Sequence, residues 1–118
     1  ATFCQLIEKN DGHILWSDSA QLIFDRYRSF YMWPGIFSYW EKNGLNTRIK
    51  LNKISIFKKN SDNSRHLGEV FALKNREIGV ATAQGIIILK EVQLEGKSNS
   101  KIKDFINGYP NFMGSILK

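Results

Sequence analysis

The segment from residue 46 to 59 reads Asn-Thr-Arg-Ile-Lys-Leu-Asn-Lys-Ile-Ser-Ile-Phe-Lys-Lys, and it carries a change of phase. Ile49 and Leu51 fall on odd positions, Ile54 and Ile56 on even ones. Successive side chains of a strand point to opposite faces, so a regular strand would bury one pair and expose the other. A β-bulge near Asn52-Lys53 restores a single buried face and bends the strand. A bent strand is what a small barrel needs at its corners. This one feature favours a mainly β fold, and with the segments that follow a small barrel of about five or six strands with one helix in its N-terminal half and a short C-terminal helix.

The remaining segments fit that frame. Ser17 is read as an N-cap with Asp18 in the first helical turn. Ala20, Ile23, Phe24, Tyr27 and Tyr31 then recur at helical spacing, and Pro34 ends a helix expected over 18–32. Arg28, three residues after Asp25, is expected to pair with it. Residues 36–41 form a strand, turned at Asn43-Gly44 into the bulged strand 46–59. A polar loop covers 60–64. Strands follow at 69–73, 78–82 and 86–93, with turns at 74–77 and 83–85. Ile86-Ile87-Ile88-Leu89 is apolar on both faces, which places it centrally or under a helix. Ile102, Phe105 and Ile106 mark a short helix, capped by Ser98 or Ser100 and stopped by Gly108. Trp33, Phe37 and Trp40 are read as packing between helix and barrel. Residues 1–16 are read as an interdomain linker leading into a domain at 17–118.

Length and content exclude much. At 118 residues the chain holds one domain, and 42% hydrophobic content rules out a disordered tail. No apolar run approaches the roughly 20 residues of a membrane span, and no leader is visible at the N-terminus. A lone Cys4 makes no internal disulfide, which suits the cytoplasm. The chain opens on Ala1 without a starting Met, as expected either of a piece cut from something longer or of a processed chain. His13 and His66 stand in polar turns, and no H-x-x-x-H or C-x-x-C occurs. Gly96-Lys97-Ser98 resembles the end of a phosphate loop, but the first glycine of that pattern would fall on Glu91. No catalytic set, metal site or cofactor site is expected in this domain.

Charge points to binding instead. The net +6 is concentrated: residues 48–66 carry six cations against Asp62, and residues 96–118 carry four against Asp104. The stretches 1–47 and 67–95 are each at −1. Arg48 and Lys50 alternate with Ile49 and Leu51 and so point outward. Lys53, Lys58 and Lys59 continue the line, and Lys97, Lys101 and Lys103 gather at the last helix. These eight are the expected nucleic-acid contacts. The structural alternative is that such lysines keep an exposed strand soluble. A free-standing RNA- or single-strand-binding module fits the same features.

Seven short motifs add a resemblance. They are DGHILW (11–16), SA (19–20), RSF and WPG (28–35), LGEV (67–70), VATAQG (80–85), VQLEGK (92–97) and DFINGY (104–109). In this order and spacing the chain resembles the C-terminal domain of methionyl-tRNA formyltransferases, within the wider formyltransferase C-terminal domain family. The resemblance implies an OB-like, partly open Greek-key barrel that holds initiator methionyl-tRNA through a basic surface. It implies an N-terminal Rossmann-like catalytic domain, absent here, that uses 10-formyltetrahydrofolate as co-substrate. It implies a monomeric cytoplasmic enzyme of translation initiation, with no membrane partner. Tyr31-Met32 stands where the family usually has Asn-Pro, and Ser98 where it usually has a second lysine. A more divergent form of the same module, in sugar-nucleotide or folate-linked formyltransferases, need not touch RNA.

Overall fold

A computed structural model of the chain describes residues 12–29, 35–42, 44–57, 66–73 and 76–118. Its elements are helix α1 (Ala20–Ser29), strands β1 (Ile36–Lys42), β2 (Leu45–Phe57), β3 (Val70–Ala72), β4 (Ile78–Ala81), β5 (Ile86–Leu94) and β6 (Ser100–Lys101), and helix α2 (Ile102–Gly108). A single 3₁₀ turn at Pro110–Phe112 follows. The strands form one antiparallel sheet in the order β1-β2-β5-β4-β3, with β6 added to β5. The long connection from β2 to β3, followed by the run β3-β4-β5 back to β2, is a Greek-key path. The expected mainly β, barrel-like class is what the chain adopts.

The phase change in β2 is real, and β5 carries its mirror. Ile49 pairs with Leu94 and Leu51 with Val92; beyond the irregularity Ile54 pairs with Leu89 and Ile56 with Ile87. Between them Lys53 pairs with Glu91, leaving Asn52 unmatched on β2 and Lys90 unmatched on β5. Two opposed one-residue bulges therefore cancel in register, and both strands bend at one point. Apolar pairs face each other on both sides of the bend. Ile49, Leu51, Ile54, Ile87, Leu89, Val92 and Leu94 are all buried in one core. Ile86 points the other way, into a small cluster with Phe71 and Ala81. That explains the apolar run of β5, which is the central strand.

The two edge strands, β1 and β3, are joined by the C-terminal tail. Val70 N–H donates to the Ser115 carbonyl at 2.9 Å, and Leu117 N–H donates to the Gly68 carbonyl at 2.8 Å. One residue further, Lys118 and Tyr39 exchange backbone hydrogen bonds of 2.9 and 3.0 Å. The tail thus bridges the open side of the barrel, with Leu117 2% exposed beneath it. Gly68 has a φ of +84°, and a Cβ there would collide with the Leu117 carbonyl oxygen, so glycine is required on both counts.

Several boundaries differ from the sequence expectation. α1 begins at Ala20, not 18, and Ser19 rather than Ser17 caps it: Leu22 N–H donates to Ser19 Oγ at 3.2 Å. The cause is Trp16, buried and donating from Nε1 to Ser38 Oγ at 2.9 Å. A turn from Leu15 to Asp18 follows from that anchoring, and Asp18 precedes the helix. Arg28 pairs with Asp25 at 3.2 Å as expected. Neither Ser98 nor Ser100 caps α2. Ser100 is consumed by β6, and Lys101 occupies the cap position without a side-chain bond. Gly108 is the last residue of α2 rather than a left-handed stop beyond it. Trp40 packs into the core as expected, but its ring partners, Phe112 and Phe105 at 5.2 and 5.9 Å, belong to the C-terminal 3₁₀ turn and α2 and not to the first helix. Phe37 does not pack there; with Ile36 and Trp40 in the core, strand alternation turns it to the opposite face. The helix end at 30–32, Trp33, Pro34, Asn43 and the loop 60–64 lie outside the described residues.

Candidate nucleic-acid interface

The bend creates a slit in the barrel wall. Along one edge β5 pairs with β2. Along the other it pairs first with β4, as far as Ile78 opposite Leu89, and then with β6, from Glu91 opposite Lys101. Lys90 lies between these two pairings. Here a groove of about 640 Å³ opens, floored by Ile78, Leu89 and Ile102. Lys53, Arg76, Lys90, Lys101 and Lys103 line it, against Glu77, Glu91 and Asp104.

Two of these anions are engaged. Lys90 Nζ meets Glu77 Oε2 at 2.9 Å, and Asn99 Nδ2 donates to Glu91 Oε1 at 2.9 Å. Lys53, Arg76, Lys101 and Lys103 are exposed and make no ion pair among the described residues. Arg76 is also the one non-glycine with positive φ among those residues, at 68°. That conformation costs about 1 kcal/mol and is held by the turn, in which Leu73 N–H donates to the Glu77 carbonyl at 2.7 Å. The groove is therefore a rim of long cations over an apolar floor, a shape and charge suited to a polyanion.

The other expected contacts lie elsewhere. Arg48 and Lys50 are half-buried on the outer face of β2, opposite Tyr39 and Phe37 of β1. Lys97 is exposed in the β5–β6 turn, where its carbonyl accepts from Gln93 Nε2 at 2.8 Å. Lys58 and Lys59 lie outside the described residues. Thus three of the eight, Lys53, Lys101 and Lys103, come together, joined by two cations the sequence reading passed over. Arg76 and Lys90 sit in a stretch of net charge −1, so a windowed charge count hides them. Neither carried a usable signal: apolar residues on both faces at 86–89 hide the phase change that sets Lys90 apart, and Arg76 is placed by a turn.

Among the described residues no group of three or more His, Cys, Asp or Glu side chains is placed to hold a metal ion. His13 Nε2 lies 3.0 Å from the Lys118 carbonyl, and His66 is exposed in a turn. No helix of the described residues is long and apolar enough to cross a membrane.

A six-stranded bent antiparallel sheet with two helices is a small, open, barrel-like fold. Comparison with known proteins makes the assignment specific: residues 6–110 match the formyl transferase C-terminal domain, and the chain belongs to that family. It is 35% identical over 117 residues, 99% of its length, to the methionyl-tRNA formyltransferase of Caldicellulosiruptor saccharolyticus, of which it covers 36%. It is 36% identical over 109 residues to that of Endomicrobium trichonymphae, covering 91% of this chain and 35% of that protein. The enzyme of Nitratiruptor sp. is 33% identical over 108 residues, covering 92% of this chain and 32% of the relative. The chain spans about a third of the length of the curated relatives it matches.

Proposed function

We propose that this chain is the tRNA-holding C-terminal domain of a methionyl-tRNA formyltransferase. In this reading residues 17–118 form the binding domain. The residues before them lead from an N-terminal catalytic domain that uses 10-formyltetrahydrofolate. The whole enzyme formylates the amino group of initiator methionyl-tRNA in the cytoplasm, as a monomer. This domain supplies affinity and transfers no formyl group itself. The observation that carries the reading is the groove in which Lys53, Arg76, Lys101 and Lys103 present unpaired charge beside an apolar floor. Unpaired lysines and arginines gain affinity from phosphates by releasing condensed counterions.

Binding of initiator tRNA to this chain over a salt series tests it. With about four phosphates neutralised, log affinity falls against log salt with a slope of about −3 to −4. A flat salt dependence, or no retention at low salt, rules the reading out.

A further inference from the structure

The outer face of β1 and β2 carries a second cluster that the groove leaves unused. Phe37 lies at its centre, buried beneath three neighbours. The His13 ring stacks on it at 5.4 Å with 10° between planes, and Tyr39 meets it edge-on at 5.6 Å. The Arg48 guanidinium lies 4.5 Å from its centroid, within cation–π range. Arg48 makes no ion pair among the described residues, and its buried Nε has no hydrogen-bond partner. The guanidinium is thus held against a ring at the cost of an unmade bond. A structural arginine usually has a carboxylate or carbonyl to satisfy its fork.

The surroundings are equally distinctive. Lys50 faces Phe37 across the β1–β2 pair, and Gln93 of β5 faces Lys50. Beside them Asn52 Nδ2 donates to Gln93 Oε1 at 3.1 Å and to Asn99 Oδ1 at 2.8 Å. The face therefore offers a ring–guanidinium platform, two unpaired cations and a row of amides. Nucleobases stack on aromatic rings and on arginine planes, and their edges bond to amides.

We propose that this face is a stacking subsite for one unpaired nucleotide of a bound RNA, resting on the RNA-binding reading above. Arg48 and Tyr39 take the base, Lys50 the adjoining phosphate, and the Asn52–Gln93 amides the base edge. Paired RNA, whose bases are covered by their neighbours, gains nothing from this face and is held by the groove alone.

Fluorescence anisotropy of this 118-residue chain with short oligo(U) and with a blunt RNA duplex tests the subsite. Tyr39→Leu keeps apolar bulk and Arg48→Lys keeps charge, so each removes a stacking plane with little other change. Both are expected to weaken oligo(U) binding about tenfold, with the salt slope unchanged and duplex binding altered less than about twofold. Unchanged oligo(U) affinity in folded variants overturns the proposal, as does an equal loss for both RNAs. Photocrosslinking of the unaltered chain to 5-iodouridine RNA needs no variant. Adducts at His13 or Tyr39 support the subsite, and adducts only elsewhere overturn it. Salt-dependent duplex binding without oligo(U) binding ends this proposal alone. Retention of neither RNA at low salt ends the RNA-binding reading with it.

Discussion

The chain presents cations in two ways. In the slit between β4 and β6, Lys53, Arg76, Lys101 and Lys103 reach into solvent on long stems. On the outer face of β1 and β2, the Arg48 guanidinium carbon lies over the Phe37 ring, 4.5 Å from its centroid, and the Lys50 side chain packs against Gly35. Charge is the same in both places, but freedom is not. Mobile cations follow a phosphate backbone wherever it passes and discriminate little. A guanidinium fixed by a ring has already lost its rotamer entropy and presents a plane of defined orientation. In the proposed reading the first arrangement would supply affinity that salt removes, and the second a geometric preference that salt barely touches.

The difference can be broken from either side. The largest effect should come from reversing the groove with Lys53→Glu, Lys101→Glu and Lys103→Glu together. Affinity for tRNA is expected to fall by about a thousandfold at low salt, and the magnitude of the salt slope to drop by about three. Because these side chains are exposed, thermal unfolding should shift by no more than about 0.5 kcal/mol.

Next comes the tail that joins the two edge strands. Leu117→Ala should cost about 2–4 kcal/mol in denaturant unfolding, since a fully buried leucine leaves a cavity behind. A loss below about 1 kcal/mol would show that the bridge is dispensable.

The double bulge touches both regions at once. Deleting Asn52 or Lys90 alone leaves one extra residue in a central ladder, and each should cost about 2–3 kcal/mol. Deleting both makes the pairing regular from Ile49–Leu94 to Ile56–Ile87. Unfolding experiments should then recover at least about 1 kcal/mol relative to the sum of the single losses. The doubly deleted chain should lose both the slit and the Asn52 amide beside the Phe37–Arg48 face, so duplex RNA and oligo(U) binding both fall.

The smallest effect is at Arg76. Asparagine tolerates its left-handed backbone better, so Arg76→Asn should stabilise the fold by about 0.5 kcal/mol while weakening tRNA binding about fivefold. Differential scanning calorimetry and a binding titration on the same sample check both signs.

The bend in β2 was readable because Ile49 and Leu51 change phase against Ile54 and Ile56 within eight residues. Its partner in β5 was masked by Ile86-Ile87-Ile88-Leu89, where apolar side chains on both faces erase the alternation. β6 is two residues long, too short for any period to register, so its Ser100 passed for a helix cap. The tail 114–118 has no pattern of its own, because its pairing partners Val70 and Tyr39 lie far away in sequence. For the candidate site, clustered lysines at 53, 101 and 103 were visible as charge. Arg76 was invisible, because its position depends on a turn between β3 and β4 rather than on its neighbours. Phe37 was placed on the correct strand but the wrong face, since a dense aromatic stretch conceals which ring alternates outward.

His13 and Lys118, 105 positions apart, share a hydrogen bond, and Tyr39 and Ser38 donate to the same Lys118 carbonyl at 3.0 and 3.2 Å. The chain therefore enters and leaves the barrel at one spot, like a pendant on a single ring. Such a unit can hang from another polypeptide without prying apart what lies on either side of it.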